Sequence, residues 1–103
     1  MTESEFNELA DAVFNRIEQA LDASGADIEC SLNGGVLELE FEDGSKIIIN
    51  RHAPNREIWL AAKSGGFHYA WQDEQWFSRR DGSELFAKLR ELVKLGSGEN
   101  LSF

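Results

Sequence analysis

The sequence has very little of the residue types that build covalent or metal-held scaffolds. Its 103 residues include one cysteine, Cys30, one proline, Pro54, and two histidines, His52 and His68. One cysteine cannot form an intramolecular disulfide, and two histidines do not complete the ligand set of a structural zinc site. A chain without such crosslinks is typical of a reducing, intracellular setting, and we expect a cytoplasmic protein.

Long apolar runs and basic residues are also scarce. No segment approaches the about 18 apolar residues that cross a membrane, and the acidic, amphipathic start of the chain lacks the features of a signal peptide. Ten lysines and arginines stand against nineteen aspartates and glutamates, which gives a formal net charge of −9. This charge repels nucleic acid and anionic membranes and favours basic protein surfaces or cations as partners.

The sequence gives no indication of an enzyme. We find no Ser-His-Asp or Cys-His constellation of the kind that supports nucleophilic catalysis. The glycine pairs of "NGG" and "SGG" are not followed by a helix with a Walker lysine, so they indicate hairpin turns rather than phosphate-binding loops. We therefore expect a non-enzymatic protein.

An amphipathic helix is predicted over residues 4–22, with Ser4 as its N-cap. Its apolar side chains recur at the spacing of one buried helical face: Phe6, Leu9, Ala10, Val13, Phe14, Ile17, Ala20 and Leu21. At about 100° per residue, four acids share a sector of roughly 80° on the opposite side: Glu8, Asp11, Glu18 and Asp22. A charged helix face usually serves solubility, but no lysine lies among these acids. The unmixed sign favours weak, exchangeable binding of hard cations.

The middle of the chain changes to a period of two, which predicts strands. The segments "DIECSL", "VLELEFE" and "SKIIIN" are separated by the turns "NGG" and "DG" and predict a three-stranded antiparallel meander. After the Pro54 loop, "EIWLAAK", "FHYAW" and "QWFS" extend the sheet to about six strands, with turns at "SGG" and "QDE". In "VLELEFE" the apolar and acidic side chains alternate, which predicts one covered and one exposed sheet face.

A second amphipathic helix is predicted near the end of the chain, with Asp81 as its N-cap and Glu84 at N3. Its apolar stripe consists of Leu85, Phe86, Leu89, Leu92 and Val93. The order α-β-β-β-β-β-β-α, without repeats, predicts a single α+β domain over residues 1–103, a two-layer sandwich with both helices on one face of an antiparallel sheet. In the tail, Leu101 and Phe103 fit either an ordered cover over the helices or a frayed end.

The stretch "NRHAPNREIWL" at residues 50–60 places Trp59 between two aliphatic residues, Ile58 and Leu60. If the aliphatic side chains point into the core, alternation turns Trp59 outward; a register shifted by one residue would bury it instead. We favour the outward register, because two aliphatic side chains outweigh one ring. An exposed tryptophan beside polar Asn55 and Glu57 indicates a partner-binding surface, and the alternative is a ring that only covers its own sheet.

Three other residues have simpler interpretations. His52 and His68 could each titrate or bind a metal singly, but a lone histidine is more often a polar residue of a sheet. Cys30 is interpreted as an inert small residue in a strand.

The order of elements, together with "NGGVL", "FEDGSKIIINR", "APNREIWLA" and the closing Trp76, Asp81 and Gly82, resembles the frataxin family in its bacterial form. The resemblance covers nearly the whole chain. It implies a helix-flanked antiparallel sheet and weak, exchangeable iron binding, ferrous or ferric, at an acidic ridge along the first helix and first strand. It also implies association with the cysteine desulfurase and the scaffold protein of iron–sulfur cluster assembly.

Carried over by residue, the resemblance assigns the metal-binding ridge to Glu8, Asp11, Glu18, Asp22, Asp27 and Glu29. The resemblance assigns partner binding to Asn55, Glu57 and Trp59. His52 and Glu57 occupy positions at which glutamine is usual in the family. The leading hypothesis is a mostly monomeric iron-binding adaptor that adjusts the rate of cluster assembly. The alternatives are an iron-storing or iron-oxidising protein that works through oligomers, and a plain acidic interaction module.

Overall fold

The chain forms two helices and six strands, which we describe from a computed structural model of all residues, Met1–Phe103. The first helix, α1, spans Glu3–Ser24. The strands are β1 Glu29–Asn33, β2 Val36–Glu40, β3 Lys46–His52, β4 Glu57–Ala62, β5 Gly65–Gln72 and β6 Gln75–Ser78; a short 3₁₀ helix, Ala53–Asn55, connects β3 and β4, and the last helix, α2, spans Leu85–Ser97. Neither α-helix is long and apolar enough to cross a membrane.

The six strands follow one another across a single sheet in chain order, and every neighbouring pair is antiparallel. One cluster of 21 buried residues joins the apolar stripes of α1 and α2 to the inner face of this sheet. In β2, for example, Leu37 and Leu39 are fully buried, whereas Glu38 and Glu40 lie on the outer face. The predicted two-layer α+β sandwich is confirmed.

The first helix begins earlier than predicted, because its N-cap is Thr2 and not Ser4. The Thr2 hydroxyl oxygen accepts the Glu5 backbone N–H at 3.1 Å, and the Glu5 carboxylate accepts the Thr2 backbone N–H at 3.2 Å. This reciprocal capping box satisfies two backbone donors at once. The helix ends at Gly25, whose φ of 65° is the left-handed conformation that glycine adopts easily.

The predicted N-cap of the second helix, Asp81, is also wrong, since Glu84 caps α2. The Glu84 carboxylate accepts the backbone N–H groups of Phe86 at 3.0 Å and Ala87 at 3.1 Å. Glu84 also forms an isolated bridge with Phe77, so the helix begins only after Glu84, three residues beyond Asp81. Asp81 instead closes its own turn, because its carboxylate accepts the N–H and the hydroxyl of Ser83 at 3.0 and 2.7 Å.

The turn between β4 and β5 differs from the prediction, and the structure decides between the two alternatives for the tail. The turn predicted at "SGG" lies at Lys63 and Ser64, and both glycines already belong to β5. In the tail, Leu101 is 3% exposed and belongs to the core, and the Phe103 ring packs against Phe86 with 5.1 Å between ring centroids. The tail is therefore an ordered cover.

Candidate functional site: an acidic helix and an outward tryptophan

The acidic side chains of α1 lie on the helix face that turns away from the core. Glu8, Asp11 and Asp22 are exposed and Glu18 is half-buried. The helix face itself carries one sign of charge, as predicted, but β3 adds a cation to it. The Arg51 guanidinium lies 2.6 Å from the Asp11 carboxylate and 4.8 Å from the centroid of the Phe14 ring. Arg51 thus neutralises part of the negative charge of the acidic ridge at Asp11, whereas no cation offsets the negative charge further along the helix.

Cys30 lies beside the unneutralised part of this ridge. In β1, Cys30 pairs with buried Leu39 and therefore faces the helix layer. Cys30 is exposed at the edge of the sheet, yet its partly desolvated thiol has a raised pKa, first through this desolvation and then through the negative charges of Glu18 and Asp22. A raised pKa keeps the thiol protonated at neutral pH.

The remaining two predicted metal ligands, Asp27 and Glu29, each lie next to an acidic residue of another segment. Asp27 precedes β1 and lies beside Glu42. A proton shared between the two carboxyl groups, followed by the charge of Asp27, raises the pKa of the Glu42 carboxyl. Glu29 pairs with Glu40 on the outer face of the sheet, opposite to the helices. The structure brings Glu18 and Asp22 together with Cys30, and it does not bring the six predicted ligands into one cluster. No group of three or more His, Cys, Asp or Glu side chains has an arrangement that could hold a metal ion.

The outward register of Trp59 is confirmed, because Ile58 and Leu60 are 0% and 1% exposed and Trp59 lies on the opposite face. The ring does not stand free on that face, however. It lies between the imidazole rings of His52 and His68, with centroid distances of 3.9 and 4.2 Å and interplanar angles of 7° and 8°. Its indole N–H donates a hydrogen bond to Glu57 at 3.0 Å. Trp59 therefore presents an edge to solvent, and its two faces are covered.

The two residues predicted to accompany Trp59 differ in exposure. Asn55 ends the 3₁₀ helix and is exposed, in keeping with a surface role. Glu57 was expected beside the ring as a surface group, but it is only 7% exposed. The hydrogen bond from the indole N–H holds its carboxylate against the Trp59 side chain. Glu57 is thus a support for Trp59 and offers little surface of its own.

Sequence reasoning missed the two histidines as neighbours of Trp59. His68 lies directly opposite Trp59 in the β4–β5 pair, and His52 lies diagonally opposite in the β3–β4 pair. The signal that could have found them is the hairpin register, since residues on one face of neighbouring strands make side-chain contacts. That register depends on where β5 begins, and the sequence pattern predicts a turn at the glycines of "SGG", which the structure places in β5.

The fold is the one that the resemblance implies. A family model described as a frataxin-like domain matches residues 1–99. The chain belongs to the frataxin family.

Curated relatives match over almost their whole length. A protein of Chromobacterium violaceum named iron-sulfur cluster assembly protein CyaY is 52% identical over 103 residues, which cover 100% of this chain and 98% of the relative. A protein of the same name from Neisseria meningitidis serogroup B is 48% identical over 99 residues, with 96% and 92% covered.

Solved structures with the same fold include bacterial and yeast proteins. The frataxin of Psychromonas ingrahamii has a TM-score of 0.95 at 38% identity, with 99% of this chain and 97% of that chain covered. A trimeric frataxin from the yeast Saccharomyces cerevisiae, complexed with ferrous iron, has a TM-score of 0.71 at 27% identity, with 95% and 88% covered.

Proposed function

We propose that this chain is a non-enzymatic, iron-binding regulator of iron–sulfur cluster assembly that docks on the cysteine desulfurase complex in the cytoplasm. The observation that carries the proposal is the separation of two surfaces by the core. Uncompensated acids lie along α1, and a supported tryptophan lies on the open face of the sheet. The curated relatives named as iron-sulfur cluster assembly proteins support the assignment of this pathway.

Iron, the cargo in this proposal, binds at the acidic ridge through carboxylates and water. Carboxylate oxygens suit hard cations, and a ridge of scattered carboxylates binds them weakly and exchangeably. Glu18 and Asp22 are the preferred contacts, because they lie one helical turn apart without a basic neighbour, whereas Asp11 already pairs with Arg51. Glu8, Asp27 and Glu29 are auxiliary ligands in this proposal. The yeast frataxin complexed with ferrous iron supports iron as the metal.

Partner binding uses both surfaces in different ways. The acidic ridge attracts a basic surface of the desulfurase and accelerates its association, because the net charge of −9 steers oppositely charged partners. The sheet surface of Asn55, Glu57 and Trp59 supplies the anchor that slows dissociation and contacts the complex of desulfurase and scaffold protein. Tryptophan is enriched at such binding hot spots.

A reconstituted assembly reaction tests this function. Purified cysteine desulfurase, its scaffold protein, cysteine and ferrous iron are mixed, and cluster formation is followed by absorbance with increasing amounts of this chain. The expected result is a saturable change in rate that is lost with Trp59→Ala and reduced with Glu18→Gln/Asp22→Asn. The control Asp73→Asn/Glu91→Gln removes two exposed charges elsewhere and should behave as wild type. A rate that does not respond to the wild-type chain contradicts the proposal.

A second candidate function is iron storage or oxidation through oligomers, with the same carboxylates as a mineral nucleus. The trimeric state of the yeast relative favours it. Size-exclusion chromatography before and after aerobic iron loading separates the two functions. A regulator stays monomeric and binds few iron ions, whereas a store forms large assemblies whose size grows with the iron added.

A further inference from the structure

A cationic corner adjoins the Trp59 surface at the edge of the sheet. The Arg80 guanidinium there lies 5.8 Å from the ring centroid of Phe67, a residue of the inner face. β6 ends at Ser78, opposite Tyr69, while β5 begins at Gly65, so residues 65–68 of β5 extend past the end of β6. The chain that leaves β6 passes this open edge, and the Arg80 guanidinium donates a hydrogen bond to the Gly66 carbonyl at 3.1 Å. Continuing the β5–β6 register by one residue places Arg79 beside His68.

The turn that carries the two arginines is held in place by its own hydrogen bonds. The backbone N–H of Gly82 donates to the Ser78 carbonyl, and that of Ser78 donates to the Ser83 carbonyl, both at 2.9 Å. The Asp81 carboxylate accepts two bonds from Ser83 and thereby closes the turn. Arg79 and Arg80 are therefore presented from an ordered segment.

The corner encloses a cleft of about 470 Å³ whose lining contains no apolar side chain: Asn55, Glu57, Gly66, His68, Arg79 and Arg80. Neither arginine has a carboxylate partner, since the ion pairs of the protein use Lys46, Arg51 and Lys88. Seven of the ten basic residues form no ion pair, and Arg79 and Arg80 are adjacent in the chain and line the same cleft. The one carboxylate in the lining, Glu57, is already hydrogen-bonded to the indole of Trp59.

Directly beside this cleft lies a second depression of different character. It measures about 200 Å³, shares Gly66 and His68 with the cationic cleft, and is lined mainly by apolar groups, including Ile48, Trp59 and Ala61. The Trp59–His68 stack borders the apolar depression, and Arg79 lies on the other side of His68. A ligand that spans the two depressions needs an apolar group next to a negative one.

We propose that this corner binds an acidic segment of a partner protein, with an aliphatic side chain in the depression beside Trp59 and a neighbouring carboxylate on Arg79 and Arg80. Guanidinium groups bind carboxylates through paired, charge-assisted hydrogen bonds, and Asn55 and His68 add donors at the rim. A protein segment fits better than a small anion, because both depressions are open and lie in a row across three strands. The inference rests on the proposed function and gives the chemistry of the segment that meets the Trp59 surface.

Binding of a designed peptide tests the inference. The probe is a short, fluorescently labelled peptide that alternates leucine with glutamate, and the matched probe has glutamine in place of every glutamate. The glutamate peptide should bind wild type roughly tenfold or more tightly than the glutamine peptide, as expected for charge-assisted bonds. Arg79→Gln/Arg80→Gln should reduce its affinity to that of the glutamine peptide. Arg79→Gln alone keeps the Arg80–Gly66 bond and should give an intermediate loss.

The control Arg16→Gln/Lys94→Gln removes the same charge from the helix layer and should leave peptide binding unchanged. Equal binding of both peptides, no binding, or an unaffected Arg79→Gln/Arg80→Gln variant overturns the inference. If citrate or inorganic phosphate displaces the peptide and binds as tightly as the peptide does, the cleft is a small-anion site, and the inference is overturned. If the wild-type chain changes the rate of cluster assembly but does not bind the glutamate peptide, only this inference is wrong. If the chain does not change the assembly rate, the proposed function is wrong.

Discussion

The indole ring of Trp59 stacks on the imidazole ring of His68, with centroids 4.2 Å apart and planes inclined by 8°. With His52 on its other face and Glu57 bonded to its N–H, Trp59 is a rigid part of the sheet. A side chain that is ordered before binding loses little conformational entropy when a partner arrives. The same contacts give Trp59 a role in stability that an unsupported outward ring would not have.

Replacing Trp59 should therefore lower stability by a moderate amount. We expect Trp59→Ala to reduce the free energy of unfolding by about 1–3 kcal/mol, because two aromatic contacts are worth about 0.5–1.5 kcal/mol each. Trp59→Phe, which keeps the stacking but lacks the N–H donor, should lose less. Urea unfolding measures both. A loss of about 3–5 kcal/mol in Trp59→Ala would indicate a core residue, and no loss would show that the stack does not form in solution.

The pKa and the alkylation rate of the Cys30 thiol should depend on the negative charge of the ridge. Since Glu18 and Asp22 add to the effect of burial in raising its pKa, Glu18→Gln/Asp22→Asn should lower that pKa and accelerate alkylation by iodoacetamide at mildly alkaline pH. Asp73→Asn/Glu91→Gln, with the same loss of charge, should leave the rate unchanged. Equal acceleration in the two variants would indicate an effect of net charge and not of neighbouring carboxylates.

Multivalent cations should raise thermal stability. The ridge acids repel one another in the folded chain, and a ligand that binds only the folded form stabilises it by about 2.7 kcal/mol at one hundred times its Kd. The melting temperature should rise with iron beyond the rise in sodium chloride of matched ionic strength. The excess should disappear in Glu18→Gln/Asp22→Asn. Identical curves in the two salts would rule out specific binding at the ridge.

Asp81 should contribute stability that depends on pH. Bonds from the Ser83 hydroxyl and N–H lower its pKa from 3.8 to about 2. A depressed pKa in the folded state stabilises the fold above pH 3.8, and this contribution is lost as the pH falls towards about 2. Asp81→Ala should therefore be less stable than wild type at neutral pH, and the difference should shrink over that range. NMR titration of the Asp81 carboxyl checks the pKa directly, and an ordinary value would contradict this account.

The sequence was sufficient for features that depend on local periodicity. The period of two placed Trp59 on the outer face, and the helical stripe identified the buried residues of α2 before any contact was known. The start of α2 could not be predicted in this way, since aspartate is a preferred N-cap type and glutamate, which caps the helix here, is not. Only the bridge between Glu84 and Phe77, a tertiary contact, decides between them.

Contacts between segments that are distant in the chain could not be predicted from the sequence. The Asp11–Arg51 pair joins residues 40 positions apart, and its formation depends on how α1 packs over β3. The stack of Trp59 on His68 depends on the register of the β4–β5 hairpin. For the same reason the sequence could not predict that Glu29 pairs with Glu40 on the face of the sheet opposite to the helix acids.

Direct binding to the purified complex of cysteine desulfurase and scaffold protein tests the central claim most directly. We predict that wild type binds and that its association slows steeply as salt rises, because the acidic ridge steers the encounter. Glu18→Gln/Asp22→Asn should lower the association rate, whereas Trp59→Ala should keep iron binding and lose roughly 30-fold or more in affinity, about 2 kcal/mol. Absence of wild-type binding, or Trp59→Ala binding as tightly as wild type, would contradict the account.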